Sequence, residues 1–261
     1  MKKQLIRLDG QVPAEFHPLL AQAKAVYDSS SSLQAKVYFI DGDGGYFLKR
    51  APKGSLQREV DATDYFFKKQ LAPEVLGYIS EEEDWMLTAK VDGQDTSSPI
   101  YLANPKRLCQ VLAESMRKLH SIDAADCPIV DNVDCYLENV YRGYRQGNFE
   151  KKYLSSQQEG LGRNEAFLRV QEIAPFLQKD ELIHGDFCLP NIILNDWQFQ
   201  SFIDCDSGGL GDRHIDLYWT LWSLKRNLGT DAYRDYFLDC YGREAINLAL
   251  LEAIACFEVF G

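Results

Sequence analysis

The chain of 261 residues holds no apolar run long enough to cross a membrane as a helix, and its start, MKKQLIRLDG, has charge without a following apolar stretch. The expectation is a cytoplasmic chain with no membrane partner. Basic residues are in deficit: 28 Lys and Arg stand against 39 Asp and Glu, a formal net charge of −11. No segment reads as a basic recognition helix, so charge argues against nucleic acid as a partner. Seven cysteines include no Cys-x-x-Cys pair, and four histidines show no zinc-ligand spacing. The cysteines therefore read as reduced packing residues. Internal repeats are absent, as are both glycine-rich phosphate motifs, GxGxxG and GxxxxGK[ST].

What is present is an ordinary globular composition, 46% hydrophobic and 26% charged, in a chain long enough for one large domain or two lobes. The most informative stretch is LIHGDFCLPNIILNDWQFQSFID, Leu182 to Asp204. Ile192–Leu194 and Ser201–Ile203 carry strand formers, and Asn195, Asp196 and Gln198 between them supply a turn. An antiparallel hairpin there predicts that Asn191 lies beside Asp204. Hard oxygen donors of this kind suit Mg²⁺, which takes one or two protein groups plus phosphate oxygens. Asp186, five residues before Asn191, is placed to orient the proton of an attacking hydroxyl. The set resembles the Asp-x-x-x-x-Asn loop and later metal-binding Asp of protein kinases. The plain alternative is a surface turn where three polar residues coincide, and the second Asp at the hairpin's end weighs against it.

Toward the N-terminus, Lys36–Ile40 and Tyr46–Lys49 flank Asp41-Gly42-Asp43-Gly44-Gly45 and predict a hairpin. Ser30, Ser31 and Ser32 precede it, either as a phosphate-covering loop or as a flexible linker. Lys49 ends a strand and Glu59 follows in a helical segment, Ser55 to Gln70. As a pair they would grip α- and β-phosphate oxygens; apart, they are an exposed Lys and an exposed helix Glu. Val75–Ile79 and Trp85–Val91 read as further strands, which puts the backbone of Ala89 and Val91 where a kinase hinge would meet adenine. The predicted boundary follows at 91, with a nucleotide-binding lobe over 1–91 and a catalytic and substrate-binding lobe over 92–261.

Beyond that point the pattern turns helical. Asn104-Pro105 caps a helix through His120, with Leu108, Val111, Leu112 and Leu119 on one face and His120 as a satisfied structural histidine. Segment 140–169 is polar and helical in parts. Asp212 caps a helix from Arg213 to Leu228, and Asp216 inside it is either a brace for the catalytic loop or an exposed helix Asp.

LHSIDAADCP at Leu119–Pro128, HGDFCLPNIIL at His184–Leu194 and FIDC at Phe202–Cys205 resemble the aminoglycoside 3′-phosphotransferase family over essentially the whole chain. The resemblance implies an α+β, two-lobed protein-kinase-like fold, with a small antiparallel sheet lobe carrying a helix and a larger, mainly helical lobe. It implies transfer of the γ-phosphate of ATP or GTP, with Mg²⁺, to a hydroxyl of kanamycin- or neomycin-type drugs. By position it makes Asp186 the catalytic carboxylate and Asn191 and Asp204 the metal ligands. Lys49, Glu59, Phe47, Ser30, Ser31, Ser32, Ala89 and Val91 become the nucleotide contacts, and Arg226, Glu258, Glu159 and Phe260 the acceptor contacts. A monomer or weak dimer is expected.

The chain departs from the family around the acceptor. Cys205, Asp206 and Ser207 follow Asp204 where x-Gly-Arg is common, and Phe257-Glu258-Val259-Phe260 replaces Asp-Glu-x-Phe. An acidic contact falls on Arg226, and residues 140–169 hold six Lys and Arg against three Glu. These changes leave a second reading open, a small-molecule kinase acting on a different hydroxylated metabolite.

Overall fold

Apolar residues alternating along two strands, with glycines between them, dictate how the first half of the chain folds. In the computed structural model, which describes residues 4–5, 8, 12–31, 34–155 and 158–261, the chain divides into two compact units, 1–92 with 200–206, and 93–199 with 207–261.

The first unit is a six-stranded antiparallel sheet. Its strands are β1 (Gln4–Leu5), β2 (Ala25–Asp28), β3 (Lys36–Asp41), β4 (Tyr46–Pro52), β5 (Val75–Ser80) and β6 (Glu83–Ala89), in the order β1-β2-β3-β4-β6-β5. A short helix α1 (His17–Ala21) precedes β2, and α2 (Gln57–Lys68) follows β4. The period of two sorts the side chains onto two faces. Tyr38, Ile40, Leu48, Trp85 and Leu87 pack with Val12 and Phe16 in one core cluster. The register Val37↔Lys49, Phe39↔Phe47, Phe47↔Thr88 and Lys49↔Met86 puts Lys49 and Phe47 on the other face. There Met86 packs with Ala51 and with Leu56 at the start of α2. Residues 200–206 join this unit through the Phe202 N–H, which donates to the Leu71 carbonyl at 2.7 Å, and through Phe202 packed edge-on against Phe66.

The second unit is mainly helical. It comprises β7 (Gln94–Asp95), α3 (Pro99–Leu102), α4 (Pro105–His120), α5 (Asn132–Gln146), α6 (Arg163–Ile173), β8 (Glu181–Ile183), β9 (Ile192–Asn195), the start of β10 (Gln198–Phe202), β11 (Gly209–Gly211), α7 (Arg213–Leu228), α8 (Arg234–Tyr241) and α9 (Leu248–Glu258). The two predicted caps are present: Asn104 accepts from the Arg107 N–H and Asp212 from the His214 N–H. β9 lies between β10 and β7 in a three-stranded sheet. Asp196 and Trp197, both at positive φ (47° and 65°), form the turn of the expected hairpin. An indole is uncommon there, and it is held by Tyr101, edge-on at 5.0 Å, and by the Arg107 guanidinium at 4.5 Å. The chain was expected to leave its strands at Asp92-Gly93, yet Gln94 and Asp95 pair with Leu194 and Ile193. Among the described residues no helix is long and apolar enough to cross a membrane.

Candidate active site

In the first unit, β4 and α2 bring Lys49 and Glu59 together. Nζ sits 2.8 Å from Oε1 and 2.7 Å from Oε2 of Glu59, and 3.1 Å from Oδ1 of Asp204. The expected Lys–Glu pair is therefore formed, and Asp204 belongs to the same cluster. Burial works against the ammonium, but Asp204 and Glu59 outweigh it and hold the Lys49 pKa above its ordinary value. Asp204 itself lies at φ 55°, a left-handed conformation that costs most side chains about 1–2 kcal/mol. Its carboxylate is half exposed while Glu59 is buried, so Glu59 orients the lysine and Asp204 stays open to a ligand.

Phe47 stands two residues before Lys49 on the same face, 5.3 Å from Phe39, which in turn stacks on Tyr27. The Val91 N–H and C=O have no hydrogen-bond partner among the described residues, whereas the Ala89 N–H donates to Glu74 and the Lys90 N–H to Gly45. Of the serine run, the Ser31 hydroxyl accepts from the Val37 N–H at 3.2 Å and ties the loop to β3. Ser30 is exposed, and Ser32 lies outside the described residues.

In the second unit, one face of α7 holds the loop His184–Leu189 residue by residue. Asp216, fully buried, accepts from the backbone N–H of His184 (2.9 Å) and Gly185 (2.7 Å). The Thr220 hydroxyl donates to the Phe187 carbonyl, the Cys188 thiol to the Trp219 carbonyl, and the Ser223 hydroxyl accepts from the Leu189 N–H. Asp216 is thus the brace, and His120 supports it in turn: Nε2 lies 3.1 Å from Asp216 and Nδ1 2.8 Å from the Tyr241 hydroxyl. Gly185 is required here, because at φ 79° a Cβ would come within 2.1 Å of the Ser207 carbonyl.

Asp186 projects from this fixed loop. The Asn191 amide donates to its backbone carbonyl (3.0 Å) and to Oδ2 (2.9 Å), while the Asn191 Oδ1 has no hydrogen-bond partner among the described residues. Glu258, last residue of α9, is buried and accepts from the Tyr136 hydroxyl at 2.7 Å. Burial pushes its carboxyl up to about 8, the charge of Asp186 adds to the shift, and hydrogen bonds from Tyr136 and Trp219 oppose it.

Two of the expected acceptor residues have other surroundings. Phe260 is fully buried among Tyr144, Phe149 and Phe167, where its ring closes an apolar cluster rather than offering a surface. Arg226 stacks over Trp222 at 5.2 Å and lines a cavity to which no residue of the catalytic loop contributes. Glu159 is exposed. Sequence reasoning did not single out Tyr136, the hydroxyl donor to Glu258.

The family model described as "Phosphotransferase enzyme family" matches residues 27–251. The chain belongs to that family. It is 44% identical over 250 residues to the "Probable aminoglycoside 3′-phosphotransferase" of Lactococcus lactis subsp. lactis, covering 95% of each chain. Among solved structures it resembles an aminoglycoside 3′-phosphotransferase of type VIII, with TM-score 0.75, 21% identity, and coverage of 99% of this chain and 94% of that one. An aminoglycoside phosphotransferase of Streptomyces rimosus in complex with ADP and streptomycin gives TM-score 0.67 at 20% identity, covering 90% of each chain. The expected fold is borne out: a protein-kinase-like arrangement with an antiparallel sheet unit carrying a helix, and a mainly helical unit.

Proposed function

We propose that this phosphotransferase moves the γ-phosphate of ATP to a hydroxyl of an aminoglycoside-type acceptor. The observation that carries this reading is the fixed loop His184–Leu189, which presents Asp186 with its carboxylate oriented by Asn191. Phosphoryl transfer asks a protein mainly for positioning and charge, and this loop is braced at nearly every residue. Asp186 accepts the proton of the attacking hydroxyl. Lys49, steered by Glu59, grips α- and β-phosphate oxygens, and Phe47 and the free Val91 backbone take the base.

Each unit carries a hard oxygen donor of the kind that suits Mg²⁺: the half-exposed carboxylate of Asp204 in the first, and in the second the Oδ1 of Asn191, which has no hydrogen-bond partner among the described residues. Mg²⁺ held by such donors would neutralise charge on the transferring phosphate. The Lactococcus lactis relative and the streptomycin complex support an aminoglycoside acceptor. Arg226, which has no carboxylate partner among the described residues, and the basic segment 140–169 favour a second reading, phosphorylation of a hydroxylated metabolite with fewer amines.

Purified protein with Mg-ATP and a panel of aminoglycosides, followed by ³¹P NMR of the products, tests the proposal. An acceptor-dependent phosphate ester is expected, with turnover lost by ~10²-fold or more in Asp186→Ala. A panel without product, alongside intact nucleotide binding, would turn the assignment to the second reading.

A further inference from the structure

The turn that carries Asp204 is held along a single helix. On α2, Glu59, Thr63 and Phe66 recur at i, i+4 and i+7, and all three are buried. Phe66 packs edge-on against Phe202 at 6.4 Å, the Thr63 hydroxyl is hydrogen-bonded to the buried Cys205 sulfur, and Glu59 reaches Asp204 through Lys49. Arg58 adds a further tether beyond Asp204, its Nε–H donating to the Asp206 carbonyl at 3.2 Å.

Asp204 needs such tethers, because its φ of 55° is a strained conformation that persists only where the surrounding structure fixes the backbone. On the N-terminal side the Phe202 N–H donates to the Leu71 carbonyl at 2.7 Å. On the C-terminal side Cys205 is held by its side chain, and the Asp206 carbonyl is the backbone group that α2 engages. The charge of Arg58 alone would act in the opposite sense. Asp204 and Asp206 both lie close enough to act on Glu59, and a guanidinium in this acidic neighbourhood repels a divalent cation bound at Asp204. Positioning and charge therefore predict effects of opposite sign when Arg58 is removed.

We propose that Arg58 is a positioning residue for phosphoryl transfer: it clamps the Asp206 carbonyl to α2 and thereby keeps the Asp204 carboxylate in place for Mg²⁺. The inference rests on the reading of Asp204 as a metal ligand and does not depend on which acceptor the enzyme phosphorylates. It assigns Arg58 no contact with the reacting atoms.

Calorimetric titration of the full chain with ADP, in Mg²⁺ and in EDTA, tests it on the parent, Arg58→Met, Arg58→Gln and Asp204→Ala proteins. Gln carries an amide N–H at the same bond count from the backbone as the arginine Nε but no charge, whereas Met has a similar length and neither donor nor charge. The Mg²⁺ enhancement of ADP affinity is expected to fall about fivefold or more in Arg58→Met, the size set by one hydrogen bond. Arg58→Gln should keep at least about half of the parent's enhancement, and affinity in EDTA should change less than about twofold in either variant. Asp204→Ala should abolish the enhancement. Circular dichroism checks folding, which neither Arg58 variant should disturb, because the bond to Asp206 lies at the surface. An unchanged or larger enhancement in Arg58→Met, or an equal loss in Arg58→Met and Arg58→Gln, would overturn the clamp while leaving Asp204 as the ligand. An enhancement that survives in Asp204→Ala would overturn the metal reading and the clamp with it.

Discussion

Lys49 shows how one side chain can be fixed by partners of different accessibility. Glu59 is buried and engages the ammonium with both oxygens, whereas Asp204 is half exposed and uses one. Removing the lysine would strand a buried carboxylate, an effect on the order of 3–5 kcal/mol. Lys49→Met should therefore lower stability sharply, and Lys49→Met combined with Glu59→Gln should recover most of the loss; urea unfolding of the four proteins in a double-mutant cycle checks this. Additive losses would mean that the pair is uncoupled. Glu258 poses the opposite case, a buried carboxyl with hydrogen bonds from Tyr136 and Trp219 and no cationic partner among the described residues. Its native pKa of about 8 stands above the ordinary 4.5, so between those values the native state keeps a proton that the unfolded chain has released. Stability must then fall as pH rises through that window, and the effect is complete above about 8. Glu258→Gln, which cannot ionise, should flatten the slope and gain a few kcal/mol over the parent above that window, on the order set by 1.4 kcal/mol per unit. Thermal melts from pH 5 to 8.5 read this directly, and parallel curves for the two proteins would contradict it.

At the scale of the element, α7 explains why the catalytic loop can be short and still exact in its placement. Asp216, Thr220 and Ser223 lie on one face and satisfy backbone groups from His184 to Leu189 that would otherwise be buried without partners. Each bond to a charged acceptor contributes about 1.5–3 kcal/mol, so Asp216→Asn should loosen the loop. The expected outcome is a kcat lower by ~10²-fold with the ATP KM within a factor of three, because misplacement of about 1 Å costs that much in rate. Steady-state kinetics decide it, and a kcat within twofold of the parent would remove the brace from the mechanism. Much of this element was legible in the sequence, since Asp212 as cap, the apolar period and Asp216 at its position are local signals. The same held for the β3–β4 and β9–β10 hairpins, whose turns announce themselves. Other parts were not legible, for physical reasons. β7 has two residues and exists only because Leu194 and Ile193 offer a free edge, and β11 is Gly-Leu-Gly, with no side-chain pattern to read. Phe260 was expected at the acceptor because the resemblance aligns Phe257-Glu258-Val259-Phe260 with the family's Asp-Glu-x-Phe, but its burial depends on Tyr144 and Phe167, over ninety positions earlier.

At the scale of the whole molecule, charge and ligand meet. A chain of net charge −11 that receives a polyanionic nucleotide works against its own field, and Lys49 cannot offset this alone because Glu59 and Asp204 already share it. The unengaged oxygens of Asp204 and Asn191 add no positive charge, so nucleotide binding should depend strongly on a divalent cation. A ligand that binds only the native state at a hundred times its Kd stabilises by about 2.7 kcal/mol. For a chain of this size that is a rise in melting temperature of roughly 5–10 °C. We therefore expect saturating ADP with Mg²⁺ to raise Tm by that amount, and ADP with EDTA to give less than half of it. Asp204→Ala should lose most of the Mg²⁺-dependent part while still folding, because its carboxylate is half exposed and Lys49 retains Glu59. Differential scanning fluorimetry at about 0.05 and 0.3 M salt completes the test: screening shortens the Debye length, so the gap between the Mg²⁺ and EDTA curves should narrow as salt rises. A Tm shift that is the same with EDTA as with Mg²⁺, or an Asp204→Ala protein that responds like the parent, would place the metal on other residues and leave Asp204 only as a partner of Lys49.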